Sequence, residues 1–226
     1  MPDLERSVLA VDVVLFGLRQ GELHLVLTER DHEPFRGRPS LPGVAVQEDE
    51  TLAQAALRAL QEKAGIAPED PTWIHLEQLA TFDALFRDPR GRTVSVAYLG
   101  LAREEVSPAT GSTWRPVVDL LPGTLPFDHN EIVDAALARL RGKLRYTGIA
   151  AHLLPERFRI EELRAVYEAL LGRRLNRSNF RSKLLKIGLI EQVGIDSDHV
   201  GRRGGRPPHL YRFARRGTTD QERDFL

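Results

Sequence analysis

Residues 41–66 have the sequence LPGVAVQEDETLAQAALRALQEKAGI, in which a short loop is followed by a helical pattern. Thr51 can accept backbone N–H groups as an N-cap, and glycine tolerates the left-handed conformation that ends a helix at Gly65. Apolar side chains recur between them at helical spacing, at Ala53, Ala56, Leu57 and Leu60. We therefore predict a helix that begins after Thr51, ends at Gly65 and buries these four residues.

Strand patterns flank this segment on both sides. Apolar, β-branched runs at 8–16 and 23–28, separated by Gly17 and Gly21, predict a hairpin. Prolines and glycines keep residues 31–43 non-helical, and two further strands are expected at 77–82 and 93–101. A helix over 130–143 would turn three residues inward, namely Ile132, Leu137 and Leu140. Mixed strands with few helices predict an α+β first domain.

The C-terminal third has a different pattern. Helical periodicity covers residues 159–171 and 176–187, each ended by a glycine. Two short strands are expected at 189–193 and 209–213, separated by a loop rich in Gly and Pro. Helix, turn, helix and β-hairpin, in that order, are typical of a winged helix-turn-helix.

Charge is divided unequally between these regions. The chain has 32 basic and 32 acidic residues, yet residues 1–150 carry a net −6 and residues 151–226 a net +6. Within 173–216 there are 12 basic and 3 acidic residues, a net of +9. Such asymmetry points to contact with nucleic acid, although a solvated basic face is the simpler alternative.

The second helix of this region places its cations where a DNA reader needs them. Recognition helices approach base edges with their N-terminal residues and contact phosphates with flanking cations. A cationic hairpin tip, GRRGGRP at 201–207, suits a minor groove or its phosphates. We therefore predict double-stranded DNA as a partner, contacted by Arg173, Arg174, Asn176, Arg177, Ser178, Asn179, Arg181, Ser182, Lys183, Lys186, Arg202, Arg203 and Arg206.

Composition excludes several other classes. The chain is 42% hydrophobic and 28% charged, as in ordinary globular proteins, and no stretch has the roughly 18 to 20 apolar residues of a membrane span. The acidic start, MPDLERSV, argues against a secretory signal peptide. The absence of cysteine excludes disulfides and thiolate metal sites, so we expect a cytoplasmic location and no membrane contact.

The 41–66 segment resembles the Nudix box, in which a glycine loop precedes a helix carrying an Arg and several Glu residues. Carboxylates three and four residues apart share one helix face, where that family holds Mg²⁺ against a diphosphate. The matching residues are Gly43, Glu50, Arg58, Glu62 and Gly65, but Val44, Ala59 and Lys63 replace a glycine and two glutamates. A degenerate box of this kind implies no metal, no cofactor and no catalytic residues.

The similarity extends beyond the box, from about residue 8 to residue 213. The segments 34–43, 87–98, 128–129, 153–155, 179–181 and 205–213 resemble Nudix-related transcriptional regulators of bacterial NAD metabolism. This resemblance implies a Nudix-like α/β/α sandwich with a mixed sheet over 1–147 and a winged helix-turn-helix over 148–216. The polar composition of residues 217–226 predicts a mobile tail. The resemblance also implies a homodimer, repression, and an effector such as ADP-ribose or a sugar.

Within that resemblance, four residues of the loops around the Nudix cleft are candidate effector ligands. Arginines suit a diphosphate and an aromatic ring suits adenine. The candidates are Phe35, Arg36, Arg38 and Arg87. Two alternatives stay open: a nucleotide-diphosphate hydrolase with an accessory winged helix, in which Glu48, Asp49 and Glu50 supply the metal ligands, and an adaptor whose winged helix binds protein.

Overall fold

The structure, a computed structural model, describes residues 7–67, 74–144, 148–196 and 207–214. The chain divides into two compact units, residues 1–17 with 23–138, and residues 18–22 with 139–226. Among the described residues, no helix combines the length and apolarity needed to cross a bilayer.

A seven-stranded mixed sheet forms the first unit. Its central strand β1 (Val8–Arg19) runs parallel to β6 (Thr93–Ala102) and also neighbours β2 (Glu22–Glu29). The remaining strands are β3 (Pro39–Ser40), β4 (Gly43–Ala45), β5 (Ile74–Phe82) and β7 (Ser112–Pro116). The order is β3-β2-β1-β6-β5, with β4 paired to β1 and β7 to β2. Seven consecutive residues of β1 are buried, so both faces of the sheet are covered at its centre.

Strand β1 is longer than the sequence predicts. Gly17 was expected to end it, but the parallel ladder continues through the pair Gly17 and Ala102. The break falls instead at Gln20 and Gly21, which both have positive φ, as a tight hairpin turn requires. The ladder hydrogen bonds outweigh the weak strand propensity of a single glycine.

Helix α1 (Leu52–Ala64) has the predicted ends. Thr51 Oγ1 accepts from Gln54 N while Gln54 Oε1 accepts from Thr51 N, which makes a capping box. At the other end Gly65, with φ of +62°, donates to the carbonyl of Gln61.

The predicted buried face of α1 was partly wrong. Leu57 is 53% exposed and Ala53 is also exposed, whereas the buried residues are Ala55, Ala56, Ala59, Leu60 and Ala64. The side facing the core is therefore rotated and built mainly of alanines, whose small side chains let the helix lie close to the sheet. They pack in one cluster with residues of β1 and β6, including Val13 and Tyr98.

The second unit has the order expected for a winged helix. Helix α3 (Ile160–Leu171) precedes α4 (Arg177–Lys186), and a β-hairpin follows the pair and joins a short strand that precedes α3, in a three-stranded sheet of order β8-β10-β9. Its strands are β8 (Phe158–Arg159), β9 (Ile190–Ile195) and β10 (His209–Phe213). The two helices pack through the rings of Tyr167 and Phe180, whose centroids are 5.1 Å apart.

The helix between these regions, α2 (His129–Leu144), also matches its prediction. Ile132, Leu137 and Leu140 are all buried. The short strands β3, β4, β7 and β8 were not predicted, because two- to five-residue strands carry too little alternation to be recognised.

The cap of α1 gives a stability prediction. A Cβ at Gly65 would meet Ala109 Cβ at 2.2 Å, whereas Gly21, which also has positive φ, has nothing within 4 Å. Gly21→Ala should therefore cost only the left-handed strain of about 1 kcal/mol, while Gly65→Ala should cost about 2–4 kcal/mol because overpacking is added. Urea unfolding of both variants measures this; equal losses would contradict it.

Candidate effector cleft and nucleic-acid interface

A polar cleft of about 930 Å³ opens on the first unit. It lies beside the central strands β1 and β4, between the second half of α1 and the loop that precedes β6. Six basic residues are among those that line it, namely Arg30, Arg58, Lys63, Arg87, Arg90 and Arg92. Five acidic residues do so as well, namely Asp12, Glu29, Asp31, Glu62 and Asp88. How these charges pair decides what the cleft can bind.

A buried network around Asp12 forms part of the cleft lining. Asp12 Oδ2 accepts from Ser95 Oγ at 2.6 Å and from Arg87 Nη2 at 3.3 Å. Arg87 also donates to both carboxylate oxygens of Asp128, at 2.8 and 2.6 Å. Burial opposes the charge of Arg87, but the hydrogen bonds and charges of Asp128 and Asp12 outweigh it and raise the pKa of Arg87.

Gly43 makes room for this network. A Cβ at position 43 would lie 2.2 Å from Asp12 Oδ1, because β4 passes directly beside Asp12 in the ladder with β1. The glycine of the box is therefore retained for close packing against a buried carboxylate.

His129, at the start of α2, joins the same network in a defined protonation state. Its Nδ1 accepts from the backbone N–H of Leu41 at 3.1 Å, so in the neutral ring the proton is on Nε2, which lies 3.6 Å from Asp12 Oδ1. Burial lowers the pKa of His129 although Asp12 acts against that effect. The residue is an orienting group that ties the loop at Leu41 to α2.

The carboxylates of the box are engaged by an arginine. Arg58 Nε and Nη2 donate to Glu50 at 2.9 and 2.6 Å, and Nη2 also donates to the carbonyl of Ala45. Glu50 is held further by the N–H of Gln47, and Arg58 lowers its pKa. Glu62, half exposed, lies 3.2 Å from Arg58 Nη1.

These residues do not fit a magnesium ion of the Nudix type. Mg²⁺ needs carboxylate oxygens free to coordinate it, but Glu50 already forms a two-hydrogen-bond pair with Arg58. Ala59 is buried and has no ligand atom, and Lys63 places an ammonium among the residues lining the cleft. Within residues 7–67, 74–144, 148–196 and 207–214, no cluster of three or more His, Asp or Glu side chains could hold a metal.

Of the four candidate effector ligands, the structure places only Arg87 in the cleft lining, where it already binds two carboxylates. Arg38 donates to the carbonyls of Gly123 and Thr124, and Phe35 packs edge-on against Phe127. Arg36 is exposed outside the lining.

The aromatic and basic residues that do line the cleft were missed in the sequence. The Phe127 ring contacts the guanidinium groups of Arg30 and Arg90, whose carbons lie 4.8 and 5.8 Å from its centroid. Phe127 has φ of +57°, a left-handed conformation that is uncommon for a bulky residue. No local sequence pattern predicts such a conformation. Arg30 and Arg90, by contrast, could be recognised in the sequence as charged residues close to Asp31 and Asp88.

Helix α4 presents the predicted basic face, on which several side chains already have partners. Asn176 acts as N-cap, since its Oδ1 accepts from Asn179 N at 3.0 Å. Arg177 forms an ion pair with Glu161 of α3, and Arg181 Nε donates to Tyr211 Oη at 2.7 Å. Arg177 is exposed and Arg181 half-buried. Six further predicted residues are exposed, namely Arg173, Arg174, Ser178, Ser182, Lys183 and Lys186.

Glu168 fastens the turn between the two helices. It accepts from Leu175 N at 2.7 Å and from Arg174 Nη1 at 3.2 Å, and these bonds lower its pKa. The geometry therefore fixes the start of α4 relative to α3. The predicted hairpin-tip residues Arg202, Arg203 and Arg206 lie outside the described residues.

Comparison with known proteins assigns both regions. Residues 6–136 match the model of the NUDIX domain, and residues 150–213 match that of the NrtR DNA-binding winged helix domain. Over 219 residues the chain is 34% identical to the "ADPR responsive transcriptional repressor NtrR" of Acinetobacter baylyi, which covers 94% of this chain and 84% of that protein.

Two solved structures from Shewanella oneidensis are also similar. NrtR complexed with a 27mer DNA is 33% identical, with a TM-score of 0.75 over 91% of this chain and 93% of that one. The NUDIX domain of the same protein complexed with ADP ribose is 34% identical, with a TM-score of 0.55 over 62% of this chain and 93% of that one.

The buried imidazole of His129 gives a pH prediction. The pKa of His129 is lowered in the folded state, so the contribution of the neutral ring to the free energy of unfolding is complete above the unfolded pKa of about 6.5. As the pH falls below that value the contribution is lost, by at most about 1.4 kcal/mol per pH unit. His129→Asn supplies an oxygen that can accept from Leu41 N without titrating. The melting temperature should fall less between pH 7.5 and 5.5 in this variant than in the wild type. Equal falls would contradict the assignment.

Proposed function

We propose a function from one premise: the chain belongs to the NrtR family, in which a Nudix domain is joined to an NrtR DNA-binding winged helix domain. We infer that it is an ADP-ribose-responsive transcriptional repressor. The winged helix binds a double-stranded operator, and the Nudix cleft binds ADP-ribose or a related nucleotide. We place the boundary between the two domains near residue 147 and the end of the second near residue 216.

One observation supports the sensing part of this proposal: of the box positions, Glu50 is paired with Arg58, and Ala59 supplies no carboxylate. Lys63 adds a positive charge at the same helix face. A cleft of about 930 Å³ nevertheless remains, whose lining includes six basic and five acidic residues, and we propose that its basic side chains bind a nucleotide diphosphate. We therefore propose that the domain binds its nucleotide without hydrolysing it.

The hydrolase alternative has a direct test. ADP-ribose with Mg²⁺ should be recovered intact after incubation with the protein at micromolar concentration. Glu62 is the box carboxylate that Arg58 holds least, so it would be the metal ligand if there were one. Rapid turnover that disappears in Glu62→Gln would establish the hydrolase and overturn the proposed sensor.

The DNA-binding part rests on the basic face of α4 within a winged-helix fold. A homodimer would present two such helices to successive major-groove faces of a near-palindromic operator. Reading chromosomal DNA also requires a cytoplasmic location in a bacterium. We propose that ADP-ribose favours a dimer geometry in which the two helices no longer match the operator, since a ligand shifts an equilibrium only through differential affinity.

Fluorescence anisotropy with the promoter DNA beside the protein's own gene tests this binding. We expect the protein to bind this DNA with an affinity that falls steeply as the salt concentration rises, because phosphate contacts release counterions. Arg177→Gln should weaken operator binding about 10-fold or more, as loss of a charged contact to DNA does. Arg115→Gln, an exposed arginine on β7, is the matched control and should leave affinity unchanged. An affinity that changes neither with salt nor in Arg177→Gln would contradict the proposal. A winged helix that bound a protein partner rather than DNA would favour the adaptor alternative.

The ion pair between Arg177 and Glu161 generates a further prediction. Glu161 competes with DNA phosphate for the guanidinium, so Glu161→Gln should tighten operator binding by a factor of about 2 to 5, given the modest energy of an exposed pair. The gain should shrink at high salt. Glu131→Gln, an exposed carboxylate at the start of α2, removes the same charge elsewhere and is the control. Weaker binding by Glu161→Gln would show that the pair positions Arg177 for DNA instead.

A further inference from the structure

Arg30 stands out among the cations of the cleft because one of its N–H donor groups is buried without a partner. Its Nε donates to the carbonyl of Pro34 at 2.8 Å, and its guanidinium lies 4.8 Å from the centroid of the Phe127 ring. Its Nη2 is buried without a hydrogen-bond partner, and among the described residues no carboxylate lies within ion-pair distance of Arg30. A charged donor held in this way is prepared for an anion.

A second guanidinium lies close to the same ring. Arg90 lies 5.8 Å from the Phe127 centroid and is fixed by Asp88, which accepts its Nε at 3.0 Å and its Nη2 at 2.7 Å. Burial, and next the charge of Arg90, lower the pKa of Arg30. Two like charges held beside one aromatic ring repel each other, and an anion bound between or beside them relieves this repulsion.

The ring beneath them is itself held in place. Phe127 adopts a left-handed backbone with φ of +57°, as does Phe35 with φ of +69°. The two rings pack edge to face, with centroids 5.0 Å apart and an interplanar angle of 83°. Residues kept in sparsely populated backbone conformations are maintained by their surroundings and occur preferentially at ligand sites.

On α1, where the Nudix box would place carboxylates for a metal, basic side chains are found instead. Arg58 occupies Glu50, and Lys63 stands in place of a box glutamate. At these two positions of α1 a diphosphate would therefore meet cationic side chains directly, rather than carboxylates that would need a divalent ion between themselves and the ligand.

We propose that Arg30, supported by Arg90 on the Phe127 ring and by Lys63, binds the diphosphate of the effector directly and without a divalent cation. This inference rests on the proposed function, because it takes a nucleotide diphosphate as the ligand of this cleft. It assigns to side-chain cations the charge that a magnesium ion supplies in a Nudix hydrolase.

Isothermal titration calorimetry of the full chain with ADP-ribose tests the inference. One titration is made in about 5 mM EDTA and the other in about 5 mM Mg²⁺, both in excess of the protein. Wild-type affinity should be the same in both buffers within about twofold. Arg30→Gln should weaken binding by about 10- to 100-fold, as loss of a charged hydrogen bond does. Arg30→Lys keeps the charge but not the planar fork, so its loss should be smaller. Arg115→Gln is the control and should bind like the wild type.

Lys63→Glu supplies an independent readout, since it restores a box carboxylate. Its binding should be weak in EDTA and should improve when Mg²⁺ is added. The melting temperature of each variant without ligand confirms that it is folded.

Two results would overturn the inference alone: wild-type binding that drops more than about tenfold in EDTA, or wild-type affinity in both Arg30 variants. Failure of the wild type to bind ADP-ribose in either buffer would overturn the proposed function, and this inference with it.

Discussion

The carboxylate of Asp12 is the constraint around which the first domain is organised. It is buried on the central strand, and it is tolerable there only because Ser95, Arg87 and the imidazole of His129 surround it. Each partner comes from a different part of the chain, so the network joins β6, the loop before it and the start of α2. The absence of a side chain at Gly43 is the condition for this arrangement, and the shape of the cleft depends on it.

The ion pairs among the charged residues of the cleft and of the box decide which ligands the cleft can bind and whether it can hold a catalytic metal. Arg87 and Arg90 are matched by carboxylates, and the pair of Glu50 with Arg58 removes the oxygens that a metal would need. Arg30 keeps a buried Nη2 without a hydrogen-bond partner, although the charges of Asp88, Asp31 and Asp12 act on its guanidinium. The scaffold of a hydrolase is thus kept while its charge balance favours holding an anionic ligand. In the second domain, similarly, Glu161 pairs with Arg177 of α4 and Glu168 pairs with Arg174 in the turn before it.

Sequence patterns predicted the features that depend on neighbours in the chain. Thr51 and Gly65 bound α1 as expected, because capping needs only residues three or four positions apart. Helices α3 and α4 and the wing strands were recognised from their periodicity, and the charge of 173–216 directed attention to DNA. Leu57 was misplaced because alanines, which carry little hydrophobic signal, form the packed face of α1.

Long-range partners were beyond the reach of the sequence. Arg87 meets Asp12 across 75 positions, and His129 meets Leu41 across 88. Without the fold, Arg36 and Arg38 were as plausible in the cleft as Arg30, and only the sheet topology separates them. The same holds for Glu161, whose approach to Arg177 depends on the angle between two helices.

We propose that the Nudix domain reports on a nucleotide that it does not consume. One sample tests it: protein bound to labelled promoter DNA, titrated with ADP-ribose in the presence of Mg²⁺, read by anisotropy and then by chromatography of the nucleotide. We expect the DNA to be released while the ADP-ribose is recovered whole. Cleavage of the diphosphate to AMP and ribose phosphate, or ADP-ribose binding that leaves the DNA complex unchanged, would contradict it.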